Sequence, residues 1–249
     1  MLKEERYQLL LKLLEQEEFV TVQELSRRLG ISMPTVRRDL SELAARKQLI
    51  RSHGGAMRLD EQSNSAPPVD FRRSVNARDK AAIARLAATL LRNEQVIFID
   101  ASTTAAYLMD SLQGFRDLIV VTNSLAAAAH LISGGVRTYC LGGEVISNSF
   151  AVGGHMALET VSDFNIDVMF FSSYGINDQG MIVDPSEREN ELRRHVMERA
   201  AVNVFLCDKS KFGKNAVFNL APLSQVDYLV TNGNPPKHYP PVRKKLLIT

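Results

Sequence analysis

Two adjacent arginines, Arg37 and Arg38, stand early in a segment that is typical of a short helix. Ser32 is suited to the N-cap of this helix, and Pro34 to its first turn, where a missing N–H costs nothing. Neighbouring positions on an α-helix differ by about 100°. One guanidinium can therefore face a guanine edge while the other binds a backbone phosphate of DNA. The simplest alternative is a solvated face of a helix that binds another protein.

A run of hydroxyl side chains, Ser102, Thr103 and Thr104, follows a predicted strand that ends at Asp100. Hydroxyl groups beside the backbone N–H groups of a helix start could bind a phosphate. The same residues could equally serve only as the N-cap of the helix that follows. Both interpretations stay open on the residues alone.

Other polar residues and glycines also follow predicted strands. In a parallel α/β sheet, ligands bind outside the carboxyl ends of the strands. The residues that fall there are Asn123, Gly142, Gly143, Asp208, Ser210 and Lys211. A lysine close to an aspartate at such an edge could contact a phosphate or a hydroxyl group, and the plain alternative is a solvated turn.

The segment around the arginine pair predicts a succession of helices. Residues 3–16 have a leucine-rich face that is typical of an amphipathic helix. Thr21 and Glu24 have the spacing of a capping box, which predicts a second helix that Gly30 ends. The third helix, which carries the arginines, is predicted to run to about Lys47.

The stretch "LIRSHGGAMRL" predicts two short strands around His53, Gly54 and Gly55. Three helices followed by a hairpin are the layout of a winged helix-turn-helix. Arg51 and His53 would lie on the wing, in reach of the minor groove or a phosphate, and Asp39 could brace a neighbouring arginine. The predicted core of this unit consists of Leu9, Leu13, Leu25, Leu29, Ile31, Val36, Leu40 and Leu43.

Positive charge is concentrated in this part of the chain. From Thr21 to Arg58 there are eight basic and three acidic residues, which gives a local charge of +5. Because the whole chain carries +2, the remaining residues carry −3. A basic module attached to a mildly acidic body predicts a polyanion partner for the module alone.

After Arg92 the chain alternates apolar strands with helical segments. The predicted strands are "VIFID", "LIVVTN", "VRTYCLGG", "DVMFFSSYG", "VNVFLCD" and "VDYLVTN". Nearly continuous apolar strands predict a parallel sheet that helices cover on both faces. The polar stretch before residue 70 contains two prolines and predicts a linker. The predicted domains are a DNA-binding domain at residues 1–58, a linker at 59–72 and an α/β domain at 73–249.

The composition is that of an ordinary globular protein, with 45% hydrophobic and 23% charged residues among 249. It contains no apolar run of the length that a membrane span needs, and the charged N-terminus predicts no secretory signal. Two cysteines, Cys140 and Cys207, form no disulfide framework, and their apolar strand contexts predict buried thiols. These features predict a reducing, cytoplasmic location.

The sequence "TVQELSRRLGISMPTVRRDLSEL", followed by "LIRSHGGA", resembles the DNA-binding domain of the DeoR family of bacterial transcription regulators. The family pattern is S-x-x-T-[IV]-R-R-D-L-x-x-L, then R-x-H-G-G-A. Lys47 departs from it, since the family usually has a helix-ending glycine there. Lys47 must then adopt a left-handed conformation, or the helix ends differently. The resemblance implies DNA binding by Ser32, Thr35, Arg37, Arg38, Arg51, His53, Gly54 and Gly55.

The segments "FIDASTT", "VVTNS", "LGGE", "VGG" and "D-x-SKFG" resemble the DeoR-type sensor domain. That domain is related in fold to ribose-5-phosphate isomerase and senses phosphorylated sugars or polyols. The resemblance implies an effector site formed by Asp100, Thr103, Thr104, Asn123, Gly142, Gly143, Glu189, Arg193, Asp208, Ser210 and Lys211, and the hydroxyl run adds Ser102 to the predicted site. Ser102 replaces the usual glycine. Arg193 replaces the usual lysine and offers a planar fork instead of a point charge.

The predicted fold class is α/β, with an N-terminal winged helix-turn-helix domain and a C-terminal α/β domain. The C-terminal domain has a mainly parallel sheet and resembles ribose-5-phosphate isomerase in fold. The predicted function is a transcriptional repressor of a carbohydrate-utilisation operon, released from double-stranded operator DNA by a phosphorylated sugar or polyol. Because such modules recognise paired half-sites, we predict a homo-oligomer, either a dimer or a tetramer. No cofactor, metal or membrane partner is expected.

Two other functions compete with this prediction. Carboxylates such as Asp100 and Glu189 could act as general bases in a sugar-phosphate isomerase, with Lys211 as an electrophile. The cysteines and the five histidines could instead form a redox or metal sensor, although their spacing is not that of metal ligands. We predict a regulator without enzymatic activity.

Overall fold

The computed structural model describes residues 2–17, 19–46, 48–51, 54–58 and 69–249. The chain divides into a smaller amino-terminal unit, which ends at Val75, and a larger unit that begins at Asn76 and ends at Thr249. Residues 59–68 of the predicted linker lie outside the described residues. The remaining residues of the predicted linker, 69–72, belong to a short helix, Val69–Ser74. Lys47 and His53 also lie outside the described residues.

The bounds of the elements follow the chain. The α-helices are α1 Lys3–Gln16, α2 Val22–Leu29, α3 Met33–Ala45, α4 Val69–Ser74, α5 Ala77–Ala88, α6 Leu125–Ser133, α7 His155–Ser162 and α8 Glu187–Met197. The strands are β1 Phe19–Thr21, β2 Leu49–Arg51, β3 Gly55–Arg58, β4 Val96–Ile99, β5 Ile119–Thr122, β6 Arg137–Cys140, β7 Glu144–Ile146, β8 Ala151–Gly153, β9 Val168–Phe171, β10 Gly175–Ile176, β11 Met181–Asp184, β12 Val202–Cys207, β13 Phe218–Pro222, β14 Tyr228–Thr231 and β15 Lys245–Ile248. Short 3-10 helices cover Ala105–Ser111, Lys209–Lys211 and Leu223–Gln225. Within these described elements, no helix is long and apolar enough to cross a membrane.

The smaller unit has the predicted winged helix-turn-helix layout. Helices α1, α2 and α3 precede an antiparallel hairpin of β2 and β3. Strand β1 also pairs with β3, so that the sheet order is β1-β3-β2. The two predicted strands of the wing are therefore confirmed, and β1 adds a third strand.

The core of the smaller unit differs from the predicted one at α1. Tyr7, Leu10 and Leu14 are the buried residues of this helix, whereas Leu9 is 43% exposed and Leu13 is only partly buried. The prediction for Leu9 is wrong because four closely spaced leucines do not show which helical stripe faces inward. The remaining predicted core residues do pack in this cluster, and they are Leu25, Leu29, Ile31, Val36, Leu40 and Leu43.

The main sheet of the larger unit is parallel, as predicted. In the described part of the chain it has seven strands in the order β15-β14-β12-β9-β4-β5-β6. Every neighbouring pair is parallel. Strand β15 is an addition to the prediction, because "KLLI" is a short run with a charged start and lies largely exposed at the sheet edge.

Side chains alternate between the two faces of this sheet. On β12, Val204 packs in one buried cluster with Ile83 of α5. Its neighbour Phe205 packs in the other cluster with Leu192 of α8. Both faces are therefore covered, which explains why the strands are apolar at successive positions instead of at every second position.

Additional antiparallel strands lie beyond the main sheet. Strands β7 and β8 form a hairpin, and β10, β11 and β13 form a small sheet. These strands are only two to five residues long, and the sequence pattern did not predict them because such short segments have no clear periodicity. The helical segment after β4 is also a 3-10 helix, Ala105–Ser111.

The two cysteines differ in their exposure. Cys207 lies on the central strand β12 and is completely buried. Cys140 lies on β6, the last strand of the sheet, and is exposed. The predicted burial of Cys140 is wrong, because an apolar strand sequence does not reveal whether the strand is central or at an edge.

Candidate functional site

The helix that carries the arginine pair begins as predicted. Gly30 ends α2 in the left-handed conformation, with φ at 63°. The Oγ of Ser32 then accepts a hydrogen bond from the backbone N–H of Thr35 at 3.4 Å. The two hydroxyl groups of Ser32 and Thr35 are also hydrogen-bonded, at 2.9 Å. This turn fixes where α3 starts and therefore which residues lie in its first turns.

Arg37 and Arg38 are exposed on α3. Within the described residues, neither guanidinium forms a hydrogen bond or an ion pair. The side chains are therefore available to an outside partner. Neutral hydroxyls and exposed arginines at the start of a helix are the groups that recognition helices place against base edges and phosphates.

Asp39 has a structural role that differs from the predicted one. Its side chain is fully buried and accepts two hydrogen bonds from Arg6 of α1, at 2.7 Å from Nε and 3.1 Å from Nη2. The prediction that Asp39 braces a neighbouring arginine is wrong in the choice of partner. Arg6 lies 33 residues earlier in the chain, so local spacing could not have identified it.

Arg51 connects the wing to α3. Its Nη1 donates to the Oγ of Ser41, and Ser41 in turn donates to the backbone carbonyl of Arg37 at 2.7 Å. The sequence predicted a DNA contact for Arg51 on the wing. In the structure, part of its guanidinium is already engaged by the helix that carries Arg37.

Gly55 occupies a position where no side chain fits. A Cβ at this residue would lie 2.2 Å from the carbonyl oxygen of Val20 and 2.7 Å from the ring of Phe19. The glycine thus allows β3 to approach β1 closely. The backbone carbonyl of the exposed Gly54 accepts from the N–H of Val22 at 2.8 Å, which ties the wing to the start of α2.

The predicted capping box at α2 forms in one half. Thr21 Oγ1 accepts from the backbone N–H of Glu24 at 3.1 Å. The carboxylate of Glu24 pairs with Arg27 and Arg28 instead of reaching back to Thr21. Nearby arginines compete successfully for the carboxylate because a charge-assisted hydrogen bond is stronger than one to a neutral N–H.

In the larger unit, Asp100, Glu189 and Arg193 lie together where α8 meets the strand ends. Arg193 donates from Nε to Asp100 at 2.9 Å and from Nη2 to Glu189 at 2.7 Å. Its Nη1 donates to Asp184 at 3.1 Å. Asp100 follows β4, Asp184 ends β11, and the other two residues lie on α8. One guanidinium therefore holds three carboxylates, and all four side chains are buried.

Asp184 is a member of this cluster that the sequence analysis missed. It also accepts hydrogen bonds from Ser173 Oγ at 3.0 Å and from the backbone N–H of Tyr174 at 3.2 Å. The signal was present, because "MIVDP" is an apolar run that ends in aspartate, as "FID" does. The surrounding carboxylates outweigh the loss of water and raise the pKa of Arg193, so this group stays charged.

The hydroxyl run after β4 is buried. Ser102 Oγ accepts from the backbone N–H of Ala105, the first residue of the 3-10 helix, at 3.2 Å, whereas Thr104 at the N-cap position makes no capping hydrogen bond. Thr103 Oγ1 accepts from Nζ of Lys80 at 3.2 Å. Lys80 is also buried, and it is a second residue that the sequence analysis missed. Its position three and seven residues before the buried Ile83 and Ala87 could have indicated a lysine on the inner face of α5.

Asn123 and Gly143 lie near the β7–β8 hairpin. The side-chain amide of Asn123 donates to the carbonyl of Val152 at 3.2 Å. Gly143 has a φ of 137°, and a Cβ there would lie 2.4 Å from the carbonyl oxygen of Gly153. Gly142 is exposed and has open space around it. Asn123 follows β5, which is next to β4, and the two glycines follow β6 at the edge of the sheet. None of the three bonds to the Arg193 guanidinium.

Asp208, Ser210 and Lys211 follow β12. Asp208 is buried, and its Oδ1 accepts from the backbone N–H of Ser210 at 3.1 Å. Lys211 Nζ donates to Ser172 Oγ at 2.8 Å and to the carbonyl of Ser173 at 2.6 Å, at the end of β9. Lys211 thus reaches the neighbouring strand end, and Ser173 connects it to Asp184.

Some buried polar atoms at this edge lack a partner within the described protein. They include Thr104 Oγ1 after β4, Asn123 Oδ1 after β5 and Thr231 Oγ1 at the end of β14. A buried polar atom without a hydrogen bond is unfavourable by about 1–3 kcal/mol, so such atoms call for water or a ligand. In the same described region, no group of three or more His, Cys, Asp or Glu side chains is arranged to hold a metal ion.

A winged helix-turn-helix unit followed by a parallel α/β unit with a polar carboxyl edge defines a DNA-binding transcriptional regulator with a sensor domain. The chain belongs to the DeoR family. The DeoR-like helix-turn-helix domain matches residues 6–62, and the DeoR C terminal sensor domain matches residues 75–233.

Relatives match almost the whole chain. It is 32% identical over 233 residues to the glycerol-3-phosphate regulon repressor of Escherichia coli strain K12, covering 93% of this chain and 92% of the relative. It is 34% identical over 229 residues to the HTH-type transcriptional regulator GolR of Listeria innocua, covering 92% and 90%. It is 30% identical over 232 residues to the transcriptional repressor AccR of Agrobacterium fabrum, covering 92% and 89%.

Solved structures show more distant similarity. A D-ribose-5-phosphate isomerase matches with a TM-score of 0.40 at 17% identity, covering 53% of this chain and 52% of the isomerase. The sorbitol operon regulator SorC of Klebsiella pneumoniae matches with a TM-score of 0.38 at 14% identity, covering 90% and 96%. At these values the two similarities describe the fold and carry no information on function.

Proposed function

We propose that the chain is a repressor that binds operator DNA through Arg37 and Arg38. The observation that carries this proposal is the exposure of both guanidinium groups at the start of a helix whose position is fixed by its cap. Ser32, Thr35 and the glycines of the wing would contact the DNA backbone around them. Two relatives are named as repressors, which supports repression and not activation as the function of this chain. The DNA-binding domain would span residues 1–58, joined by a linker at 59–72 to a sensor domain at 73–249.

The effector that we propose is a phosphorylated sugar or polyol, bound at the carboxyl edge of the parallel sheet. Carboxylates accept hydrogen bonds from sugar hydroxyl groups, and this edge contains Asp100, Asp184, Glu189 and Asp208. Lys80 and Lys211 supply positive charge for a phosphate. The unpartnered buried oxygens at the same edge add acceptors that a hydroxyl-rich ligand would satisfy.

The glycerol-3-phosphate regulon repressor, as a relative, makes glycerol 3-phosphate the first compound to test. Operator release would follow from a shift in population, in which the effector binds better to a form that binds DNA less well. A homo-oligomer would present two recognition helices to paired half-sites. A protein that acts on chromosomal DNA would work in the cytoplasm.

Catalysis is not part of this proposal. The carboxylates that an isomerase would use as general bases, Asp100 and Glu189, are both engaged by Arg193. A general base must reach the proton that it removes, and these groups point at a guanidinium instead. An assay for ribose 5-phosphate isomerisation checks this, and turnover at an ordinary enzymatic rate would support the enzyme alternative.

The test of DNA binding is a selection from a random DNA library by the purified full chain, followed by affinity measurements on the selected sequence. We expect Arg38→Ala to abolish specific binding, while binding of an effector is unchanged. The matched control is Arg85→Ala, which removes one exposed charge from α5. If Arg38→Ala and Arg85→Ala protect the selected DNA equally, the recognition helix is assigned wrongly.

The test of the effector is a thermal-shift screen of the full chain against sugar and polyol phosphates, with inorganic phosphate and the unphosphorylated compounds beside them. A ligand at 100 times its Kd stabilises the native state by about 2.7 kcal/mol, which raises the unfolding temperature. A response to phosphorylated compounds alone supports the proposal. A flat response to the whole panel contradicts it.

A further inference from the structure

Asn76 is the first residue of the larger unit, directly after the chain leaves the smaller one at Val75. Its backbone is left-handed, with φ at 53°. It stands at the N-cap position of α5, but its side chain makes no capping hydrogen bond. Asn is among the few non-glycine residues that accept this conformation readily. Its side chain is therefore free for a different purpose at the junction of the units.

That side chain is bonded to the candidate effector site. Asn76 Nδ2 donates to Asp208 Oδ1 at 3.1 Å and to Ser210 Oγ at 3.0 Å. Both partners lie more than 130 residues further along the chain, at the carboxyl end of β12. Asp208 and Ser210 are two of the residues that the sequence predicted to bind the effector. We call these two hydrogen bonds the Asn76 tether.

An effector bound at this strand end would compete with the tether. Asp208 Oδ1 already accepts from the backbone N–H and the Oγ of Ser210 as well as from Asn76. The Oδ1 atom has two lone pairs and already accepts from these three donors, so an effector group that donates to Oδ1, and not to Oδ2, must displace one of them. The backbone bond is fixed by the 3-10 helix Lys209–Lys211. The Asn76 amide is the donor that a small rotation can release.

We propose that the Asn76 tether transmits occupancy of the effector site to the junction between the two units. The inference rests on the proposed effector site. With the tether formed, Asn76 is held left-handed and the start of α5 is fixed in the form that binds DNA. A hydroxyl group of the effector that donates to Asp208 Oδ1, or a phosphate that accepts from the Ser210 hydroxyl group, releases Asn76. The junction then changes conformation, and operator affinity falls.

The first experiment needs no effector. Affinity for the selected DNA is measured for the natural full chain, Asn76→Gly and Asn76→Asp. Glycine keeps the left-handed backbone without the amide, and aspartate keeps the size and the backbone preference but cannot donate to Asp208. Because both variants lose the hydrogen bond from the neutral amide to the charged Asp208, we expect operator affinity to fall about fivefold to tenfold. Asn76→Gly makes the backbone more flexible and Asn76→Asp does not, so a loss that both variants share is due to the tether.

A matched control is Asp117→Gly, since Asp117 is exposed and left-handed with φ at 53°. We expect it to bind the selected DNA as the natural chain does. Ser210→Ala extends the test in a double-mutant cycle with Asn76→Gly. If the two residues act through one interaction, the double variant loses little more affinity than either single variant. Additive losses, or Asn76 variants that bind DNA as tightly as the natural chain, overturn the proposal.

The second experiment adds glycerol 3-phosphate, with inorganic phosphate as a parallel probe. Linkage is reciprocal, so loss of the tether should raise affinity for the effector and reduce its effect on operator affinity to less than about twofold. An undiminished effect of the compound in both Asn76 variants overturns the proposal. If the natural chain binds neither probe while the Asn76 variants still lose operator affinity, the proposed effector class fails and the role of the tether in DNA binding stands.

Discussion

Asp39 is completely buried on α3, and Arg6 of α1 donates two hydrogen bonds to its carboxylate, at 2.7 and 3.1 Å. Asp39 directly follows the arginine pair, and this ion pair holds the buried face of the helix while both arginines are exposed. A charged motif in the sequence therefore has two different functions. Arg37 and Arg38 are left for an outside partner, while Asp39 holds their helix in place.

Loss of Arg6 should loosen the smaller unit. Arg6→Ala leaves the buried Asp39 carboxylate without its cation, which we expect to reduce the free energy of opening of α1 and α3. Hydrogen exchange on the full chain, read by mass spectrometry, localises the effect to these helices. Arg6→Lys should recover part of it, and Arg85→Ala should change nothing. If the amide hydrogens of α1 and α3 exchange as slowly in Arg6→Ala as in the natural chain, the ion pair does not stabilise the helix.

The sequence predicted the fold to the extent that local patterns decide it. Caps, glycines and apolar periodicity placed α1, α2, α3 and six of the parallel strands, because these signals act within a few residues. Partners distant in the chain could not be predicted in this way. Arg6 with Asp39 and Asn76 with Asp208 depend on tertiary packing, and so does the order of strands that exposes Cys140.

The salt dependence of DNA binding should separate Arg37 from Arg51. Each phosphate contact that is lost reduces the slope of log affinity against log salt by about one. Arg37→Ala or Arg38→Ala should reduce the slope if that residue binds a phosphate. Arg51→Ala should weaken binding with the slope unchanged, because Arg51 is engaged by Ser41. A reduced slope for Arg51→Ala would restore the direct DNA contact that the sequence predicted.

The two thiols should differ in reactivity. Burial raises the pKa of Cys207 to about 12, and this thiol is completely enclosed. Partial burial also raises the pKa of Cys140, but its side chain is exposed. At pH 8 a thiol reagent should label one cysteine per native chain, and Cys140→Ser should abolish the labelling. Cys207→Ser is the control, and equal labelling of both thiols in the native protein would contradict the structure.

The stability of α2 should depend on pH because of the ionisation of Glu24. Hydrogen bonds from Arg27, and then from Arg28, lower the pKa of Glu24 from 4.5 to about 2 in the folded protein. A lowered pKa means that the carboxylate stabilises the fold above about pH 4.5 and loses this contribution as the pH falls toward 2. Glu24→Gln should therefore be less stable than the natural chain at pH 7 and equal to it near pH 2. Hydrogen exchange in α2 between pH 3 and 7 measures the trend, and a difference that is independent of pH would refute it.

Arg193 should be the most sensitive position of the larger unit. Arg193→Ala leaves three buried carboxylates without their cation, and we expect the free energy of unfolding to fall by about 3–5 kcal/mol. Arg193→Lys should fall between this variant and the natural chain, because one ammonium cannot reproduce the three donor directions of the guanidinium.

Arg188→Ala is the matched control for Arg193→Ala, since Arg188 lies on the same helix in an exposed pair with Glu144. Exposed pairs contribute about 0–1 kcal/mol, so this variant should unfold almost as the natural chain does. Urea unfolding of the full chains, followed by circular dichroism, compares Arg193→Ala, Arg193→Lys and Arg188→Ala with the natural chain. In addition, Asp184→Asn should restore part of the stability of Arg193→Ala, because it removes one of the uncompensated charges. If Arg193→Ala and Arg188→Ala unfold at the same urea concentration, the buried cluster is not what holds α8 against the strand ends.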